Sequence, residues 1–167
     1  IDSFAAVGLL QAAGYHVTAL TLDMRGDSAL LEKARLRAGA LGIPWRMRSV
    51  RERFEREVVD YFTDSYFRGR TPAPCTRCNS RIKWPCLAAE ADALGIRYIA
   101  TGHYFRITSA GGKRYVTRAA DNRKDQSYYL WDLPQEVLDR VLTPMGTVIK
   151  RNIVEELADR RESMGVC

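Results

Sequence analysis

The sequence predicts an α/β fold, a parallel sheet with helices on both faces, and three observations predict it. A helix-like amphipathic stretch runs into a glycine and then a β-rich segment three times, in LLQAAGYHVTALTL, RAGALGIPWRMRSV and AEADALGIRYIATG. Glycine takes the left-handed conformation of a helix stop without a steric penalty, so Gly14, Gly42 and Gly95 mark three helix ends. The β-rich segments recur at crossover spacing, which parallel neighbours require and hairpin-linked strands do not.

The elements follow in order. A helix from Ser3 to Ala13 ends at Gly14, and Asp2 and Ser3 are short polar residues able to cap it. Its amino end then presents free N–H groups and a positive dipole, an anion site or an ordinary cap. A strand from His16 to Leu22 follows, then a helix from Ser28 to Leu41 and a strand from Trp45 to Val50. In the helix from Arg51 to Phe67, Phe54, Val58, Tyr61 and Phe62 fall at helical spacing and predict one buried face. A helix from Ile82 to Leu94 leads to a strand from Arg97 to Thr101. Tyr104 to Thr108 and Arg114 to Arg118, joined through Ser109, Ala110, Gly111 and Gly112, read as a hairpin. Helices near Gln135 to Val141 and Lys150 to Asp159, turned by Pro144 and Gly146, end the chain. Ligands of open α/β sheets sit at the carboxyl ends of the strands, here the loops after Leu22, Val50 and Thr101.

At 167 residues and 46% apolar content the chain supports one domain with a real core and is too apolar for disorder. It contains no apolar run of the roughly 18 residues that a membrane span needs, and the expectation is a soluble, cytoplasmic protein with no membrane partner. Its net charge of +6 and pI near 9.3 suit a polyanionic partner. Arginine supplies 21 of the 26 basic residues, a skew that base composition alone can produce. Cys75, Cys78, Cys86 and Cys167 show no framework spacing, which fits thiols used for chemistry in a reducing compartment.

Chemistry concentrates in three segments. RTPAPCTRCNSRIK, Arg70 to Lys83, sets Cys75 and Cys78 on a proline-braced loop flanked by Arg70, Arg77, Arg81 and Lys83, and cationic neighbours lower a thiol's pKa. Three readings of this C-x-x-C stand: a zinc half-site, a redox couple, or two incidental thiols. Zinc requires four ligands, and Cys86, Cys167, His16 and His103 offer no second close pair. Cys86, in an apolar helix, reads as core. TGHY, Thr101 to Tyr104, follows a strand directly, so Gly102 permits close backbone approach of a ligand and His103 projects from the rim. NRKDQSYY, Asn122 to Tyr129, mixes Lys124, Asp125 and Gln126 with Tyr128 and Tyr129, as a surface holding unstacked RNA bases does, and equally as a solvated turn does.

Taken together, these segments resemble the tRNA-specific 2-thiouridylases, members of the PP-loop ATP pyrophosphatase group, over nearly the whole chain. IDS, Ile1 to Ser3, is similar to the tail of the family's SGGxDS. GRTPAPCTRCNSRIK, Gly69 to Lys83, matches GRTPNPC/DxxCN with its following IK; Ala100 to Tyr104 matches ATGHY. Asn122 to Leu130 matches NKDQSYFL with Arg123 extra, and Glu162 to Cys167 matches the segment before the second catalytic cysteine.

The resemblance implies a Rossmann-like sheet of the adenine nucleotide alpha hydrolase type, with a small helical and hairpin region contacting tRNA. It implies an ATP-dependent sulfurtransferase that 2-thiolates the wobble uridine of tRNA, using ATP with Mg2+ and persulfide sulfur from an upstream sulfur-relay carrier protein. It assigns catalysis to Cys78 and Cys167 and nucleotide contacts to Asp2, Ser3, Leu22 and Gly102. It assigns tRNA contacts to Ala73, Pro74, Cys75, His103, Lys124, Asp125 and Gln126, and no resident metal. Where some members carry Asp, this chain has Cys75, and Ala73 replaces a usual Asn. The SGG glycines and the strand before them are absent. Residues 1–167 are therefore expected to form one catalytic domain cut before its first strand and after its second catalytic cysteine, with 120–160 a small helical subregion. As written, they are expected to bind ATP poorly. Two other readings are a zinc-stabilised nucleic-acid-binding module and another PP-loop adenylating enzyme. No glycine-rich methyl-donor motif supports methyl transfer.

Overall fold

A computed structural model of the chain describes residues 2–152. Ile1, most of the last expected helix and Cys167 lie outside the described residues. Helix α1 spans Asp2–Ala12, strand β1 Ala19–Asp23, helix α2 Ser28–Ala40 and strand β2 Trp45–Ser49. The stops fall where glycine requires them: Gly14, Gly42 and Gly95 all have positive φ. Asp27 caps α2 by accepting from Leu30 N at 2.9 Å. Strands β1 and β2 run parallel, Ala19 opposite Trp45 through Asp23 opposite Ser49.

A helical rod follows as α3 (Arg51–Phe54), a π turn (Glu55–Val59) and α4 (Asp60–Phe67). The expected buried face holds only in its first half. Val58 is buried, whereas Phe62 is exposed and Ser65 faces inward. Each π turn carries one residue more than an α turn, so the side chains after it are rotated by about 100° from the register that α periodicity predicts.

The cysteine segment is not a loop. Helix α5 (Pro74–Cys78) opens with proline at its first position, passes through a second π turn (Asn79–Lys83) and continues as α6 (Trp84–Ala93). Pro85 donates no backbone N–H, and the turn before it adopts i→i+5 bonding, with Trp84 N reaching Asn79 O. The expected helix from Ile82 thus begins eight residues earlier, at Pro74.

Strand β3 (Ile99–Ala100) pairs in parallel with β6 (Val141–Leu142), a strand where the sequence suggested the end of a helix. Helix α7 (Gln135–Leu138) stops because Arg140 is tied to the segment before β3. Its guanidinium donates to Arg97 O at 2.8 Å and Ile96 O at 2.9 Å and pairs with Asp92, while its carbonyl accepts from Ile99 N. Between them lie the antiparallel hairpin β4 (Arg106–Ala110) and β5 (Lys113–Thr117) and a 3₁₀ turn at Ser127–Leu130. Gly111 and Gly112 both take positive φ, as a two-residue hairpin turn demands.

The parallel strands form two pairs, β1–β2 and β3–β6, and not the single continuous sheet the repeats suggest. Between β1 and β3 runs a cavity of about 680 Å³ bounded by α1, α2 and α6. The core divides around it. One cluster joins Trp84 and Ala91 to Ile99, Phe105, Leu130 and Val141; another joins Val50, Val58, Cys78, Ile82 and Cys86; a third sets Ala6 against Tyr104, Ala119 and Met145. No helix among the described residues is long and apolar enough to cross a membrane.

Candidate functional site

The cavity runs the length of β1 and β3 and reaches their carboxyl ends, beside the first turn of α1. Ser3, Leu22 and Gly102 line it, with Lys83 and Thr101. Ser3, Leu22 and Gly102 come from segments far apart in sequence and are three of the four positions matched to nucleotide contact. Gly102 lies hard against α1: a Cβ there would come within 2.8 Å of Ser3 N and 2.9 Å of Asp2 C. Only a residue without a side chain lets this loop meet the helix amino terminus.

Asp2, the fourth, has both carboxylate oxygens engaged. Tyr104 Oη donates to Oδ1 at 3.1 Å and Lys150 Nζ donates to Oδ2 at 3.0 Å. Burial, with Asp2 beside it, pushes the Tyr104 hydroxyl up to about 12, so it stays protonated and donates. Asp2 therefore fastens α1 to the segment after β3, and Ser3, exposed, is the polar side chain left at the cavity mouth.

Cys78 is buried on the inner face of α5 and shares a hydrophobic cluster with Leu22; Cys75, one turn earlier, is exposed. The expectation of a thiol activated by four cations is not met. Burial pushes the Cys78 thiol up, Lys83 opposes this, and Cys75 reinforces it. Arg77 is directed elsewhere: it donates to Glu57 O, pairs with the Glu57 carboxylate at 3.2 Å and lies 4.5 Å over the Tyr61 ring. The same helix carries buried polar atoms, Thr76 Oγ1 and Asn79 Oδ1, without a hydrogen-bond partner among the described residues. Asn79 Nδ2 donates to Cys75 O at 2.9 Å. Ala73 precedes the helix, exposed, and Pro74 begins it.

His103 is held at its Nδ1 by Thr101 Oγ1 at 2.8 Å and its ring stacks on Trp84 at 6.5 Å. Burial, helped by the charge of Lys83, lowers it to about 4, so it is a neutral imidazole at physiological pH and offers a hydrogen bond, not a cation. Lys124, Asp125 and Gln126 divide. Lys124 is exposed; Asp125 accepts from Ala119 N and Ser127 Oγ, both at 2.7 Å; Gln126 exchanges two hydrogen bonds with the Tyr104 backbone. Asp125 and Gln126 shape the loop, and Lys124 is the charge it displays. This loop's 3₁₀ turn lies against α5 and the π turn, which places it beside Cys78.

Sequence reasoning missed two features. Lys83 lines the cavity and acts on both Cys78 and His103. Asp23 ends β1 almost fully buried, accepting from Arg51 Nε at 2.8 Å and Nη2 at 2.5 Å and from Gly26 N at 2.7 Å, which holds its carboxyl below the usual range. An acidic residue closing a β-rich run, followed by Met-Arg-Gly, was the available signal. Among the described residues there is no group of three or more His, Cys, Asp and Glu placed to hold a metal ion.

Pairs of parallel strands flanked by helices, with a helix amino terminus and a glycine meeting at the carboxyl ends of β1 and β3, define an α/β domain of the HUP class. Residues 1–167 match the family described as the tRNA methyl transferase HUP domain, and the chain belongs to that family. It is 43% identical over 99% of its length to tRNA-specific 2-thiouridylase MnmA 2 of Phocaeicola vulgatus, covering 50% of that protein. It is 38% identical to the tRNA-specific 2-thiouridylase MnmA of Carboxydothermus hydrogenoformans and 39% identical to that of Moorella thermoacetica, covering 52% and 53% of them. The chain thus spans about half the length of the curated relatives it matches.

Proposed function

We propose that this domain belongs to an ATP-dependent tRNA sulfurtransferase that replaces O2 of the wobble uridine with sulfur. The observation that carries the reading is the convergence of Ser3, Leu22 and Gly102 on one cavity mouth, with Cys78 in the same hydrophobic cluster as Leu22. The curated relatives are named tRNA-specific 2-thiouridylases, which supports tRNA thiolation.

The residues present fit a nucleotide. The tight approach of Gly102 to α1 brings backbone, not side chain, to the carboxyl-end rim of the slot, where a phosphate can come close. Ser3 and the first turn of α1 would face phosphates, and Leu22 and Gly102 would flank the adenosine. ATP, as Mg2+ complex, would supply activation: the uracil O2 becomes bonded to AMP, pyrophosphate departs, and C2 becomes electrophilic. In the proposed sequence Cys167 carries a persulfide loaded by a relay protein. Its outer sulfur bonds to C2 as AMP leaves, and the Cys78 thiolate takes the inner sulfur, closing a Cys78–Cys167 disulfide that a thiol reductant reopens. Ala73, Pro74 and Cys75 lie at the start of the Cys78 helix, where the target base would arrive, with the neutral His103 as a hydrogen-bonding neighbour.

The same reading gives the slot between β1 and β3 an architectural role. A strand entering it would pair with the free edges of both and complete one sheet, with its carboxyl end at the amino end of α1. The domain would then hold a full phosphate cradle.

The experiment is mass spectrometry of tRNA nucleosides from cells lacking the full-length protein, complemented with wild type, Cys78→Ser or Cys167→Ser. Loss of 2-thiouridine rescued by wild type alone is expected. Rescue by both serine variants refutes the reading.

A further inference from the structure

The loop beside Cys78 displays two largely exposed aromatic rings, one of them, Tyr128, edge-to-face with Tyr129 at 6.0 Å. Tyr128 is 73% exposed and Trp131 is 68% exposed. Tyr128 lies in the 3₁₀ turn, and Trp131 continues it with φ −63° and ψ −24°. Residues i and i+3 eclipse in 3₁₀ geometry, so the two rings leave the same side of the turn.

The backbone beneath them is fixed. Leu130 is in the main core cluster and Leu133 with it. Asp125 is bonded to Ala119 N and Ser127 Oγ, and Gln126 is bonded twice to Tyr104. The carboxylates of Asp121 and Asp125 accept from backbone N–H groups, while Arg123 and Lys124 are exposed. Asp132, beside Trp131, is the exposed acid of this surface. Exposed rings on a segment that also displays Arg123 and Lys124, in a chain of net charge +6, suit unpaired bases with their phosphates, because every base offers a π-face and stacking requires no sequence. The turn's contact with α5 sets the platform next to the reactive thiol.

We infer that Tyr128 and Trp131 form a stacking platform for unpaired bases of the RNA substrate, neighbours of the base that enters the site. The inference rests on the proposed function and adds the residues that hold the unpaired bases flanking the target. A protein partner on the same rings is the competing occupant.

The test uses the full-length protein and a tryptophan signal. Of the three tryptophans in residues 1–167, Trp84 is fully buried and Trp45 is partly buried with its indole N–H on Thr21 Oγ1, so Trp131 is the one of these that RNA can reach. Titration with unmodified substrate tRNA or a short single-stranded RNA is expected to quench tryptophan emission. Trp131→Phe should remove the share of the quench that Trp131 carries, seen as a smaller amplitude than wild type, and keep affinity within about twofold, since phenylalanine still stacks. The double variant Tyr128→Ala/Trp131→Ala should weaken RNA binding by about tenfold or more with an unchanged thermal midpoint, both side chains being outside the core. RNA affinity unchanged in the double variant overturns the inference, as does a quench as large in Trp131→Phe as in wild type or a loss confined to a protein partner. A wild-type protein that binds no tRNA overturns the proposed function and this inference with it, so the two failures are distinct.

Discussion

Replacing Gly102 by alanine tests whether the cavity mouth is built by contact between the β3 loop and α1. The new Cβ would lie 2.8 Å from Ser3 N, 2.9 Å from Asp2 C and 3.1 Å from Ser3 Cα. Ordinary contact begins near 3.4 Å, so the two backbones must separate by about 0.6 Å. No rotamer relieves this, because all three atoms are main chain. Overpacking of this kind costs about 1–3 kcal/mol. In a domain of this size each kcal/mol is worth about 2–4 °C, so the thermal midpoint should fall by several degrees. The separation also moves Ser3 and the helix amino end, so ATP affinity of the full-length protein should fall with it. Gly8 provides the control. It lies mid-helix in the same α1 with open space for 4 Å around the point an added methyl would occupy, and alanine there should stabilise by about 0.5–1 kcal/mol. Calorimetric unfolding and ATP titration of both variants decide the matter. Wild-type midpoint and wild-type affinity in Gly102→Ala would refute the reasoning.

The remaining predictions concern charge. His103 titrates near 6.5 when unfolded and at about 4 when folded, so the unfolded chain binds the extra proton between these values. Stability should be complete above about pH 6.5 and decline as the pH falls toward 4, by at most about 3 kcal/mol, and His103→Gln should flatten that part of a stability–pH curve. Cys75, exposed, should alkylate well before Cys78, and peptide mass spectrometry after brief iodoacetamide treatment reads the order. Lys83→Met should slow Cys78 further and raise His103 at once, since the same charge acts on both; a change in one alone contradicts the placement of Lys83. Arg51→Met removes the partner of buried Asp23. Its destabilisation should be full above the ordinary carboxylate range and fade as acid protonates Asp23, which urea midpoints at pH 7 and pH 3 would show.

What the sequence made legible was local or periodic. Gly14, Gly42 and Gly95 stop helices for a reason contained in one residue, and the strands that follow them are present with ends shifted by a few positions. Gly111 and Gly112 specify the hairpin turn in the same way. The misses have non-local causes. Arg140 ends α7 by holding carbonyls more than forty residues away, so β6 has no local signal. The C-x-x-C motif was visible, but the state of its thiol depends on which cations reach it. Arg77, adjacent in sequence, is taken by Glu57 and Tyr61, while Lys83, five residues on, faces the cavity. Counting charges along the chain gave the wrong direction for the Cys78 thiol because burial, a tertiary property, outweighs them.

The π turn at Asn79–Lys83 connects this local sequence to the chemistry. In a continuous α-helix from Pro74, residues after Cys78 would follow a 100° step, and the added residue of the π turn advances everything beyond it by about that angle. The actual register sets Cys78, Ile82 and Cys86 in one buried cluster and at the same time turns Lys83 to the cavity. A regular helix could also bring 78, 82 and 86 to one face, since they are spaced at four, but it would swing Lys83 relative to the Cys75–Cys78 turn. The turn is found directly before Pro85, whose missing N–H removes the bond that would otherwise hold α register there. A proline inside a helix thus bears on which cation stands beside the buried thiol, and Lys83 is the charge that opposes the burial-driven rise of the Cys78 pKa. The reactivity of this site is therefore set less by the arginines that crowd the motif than by the break in helical register that follows it.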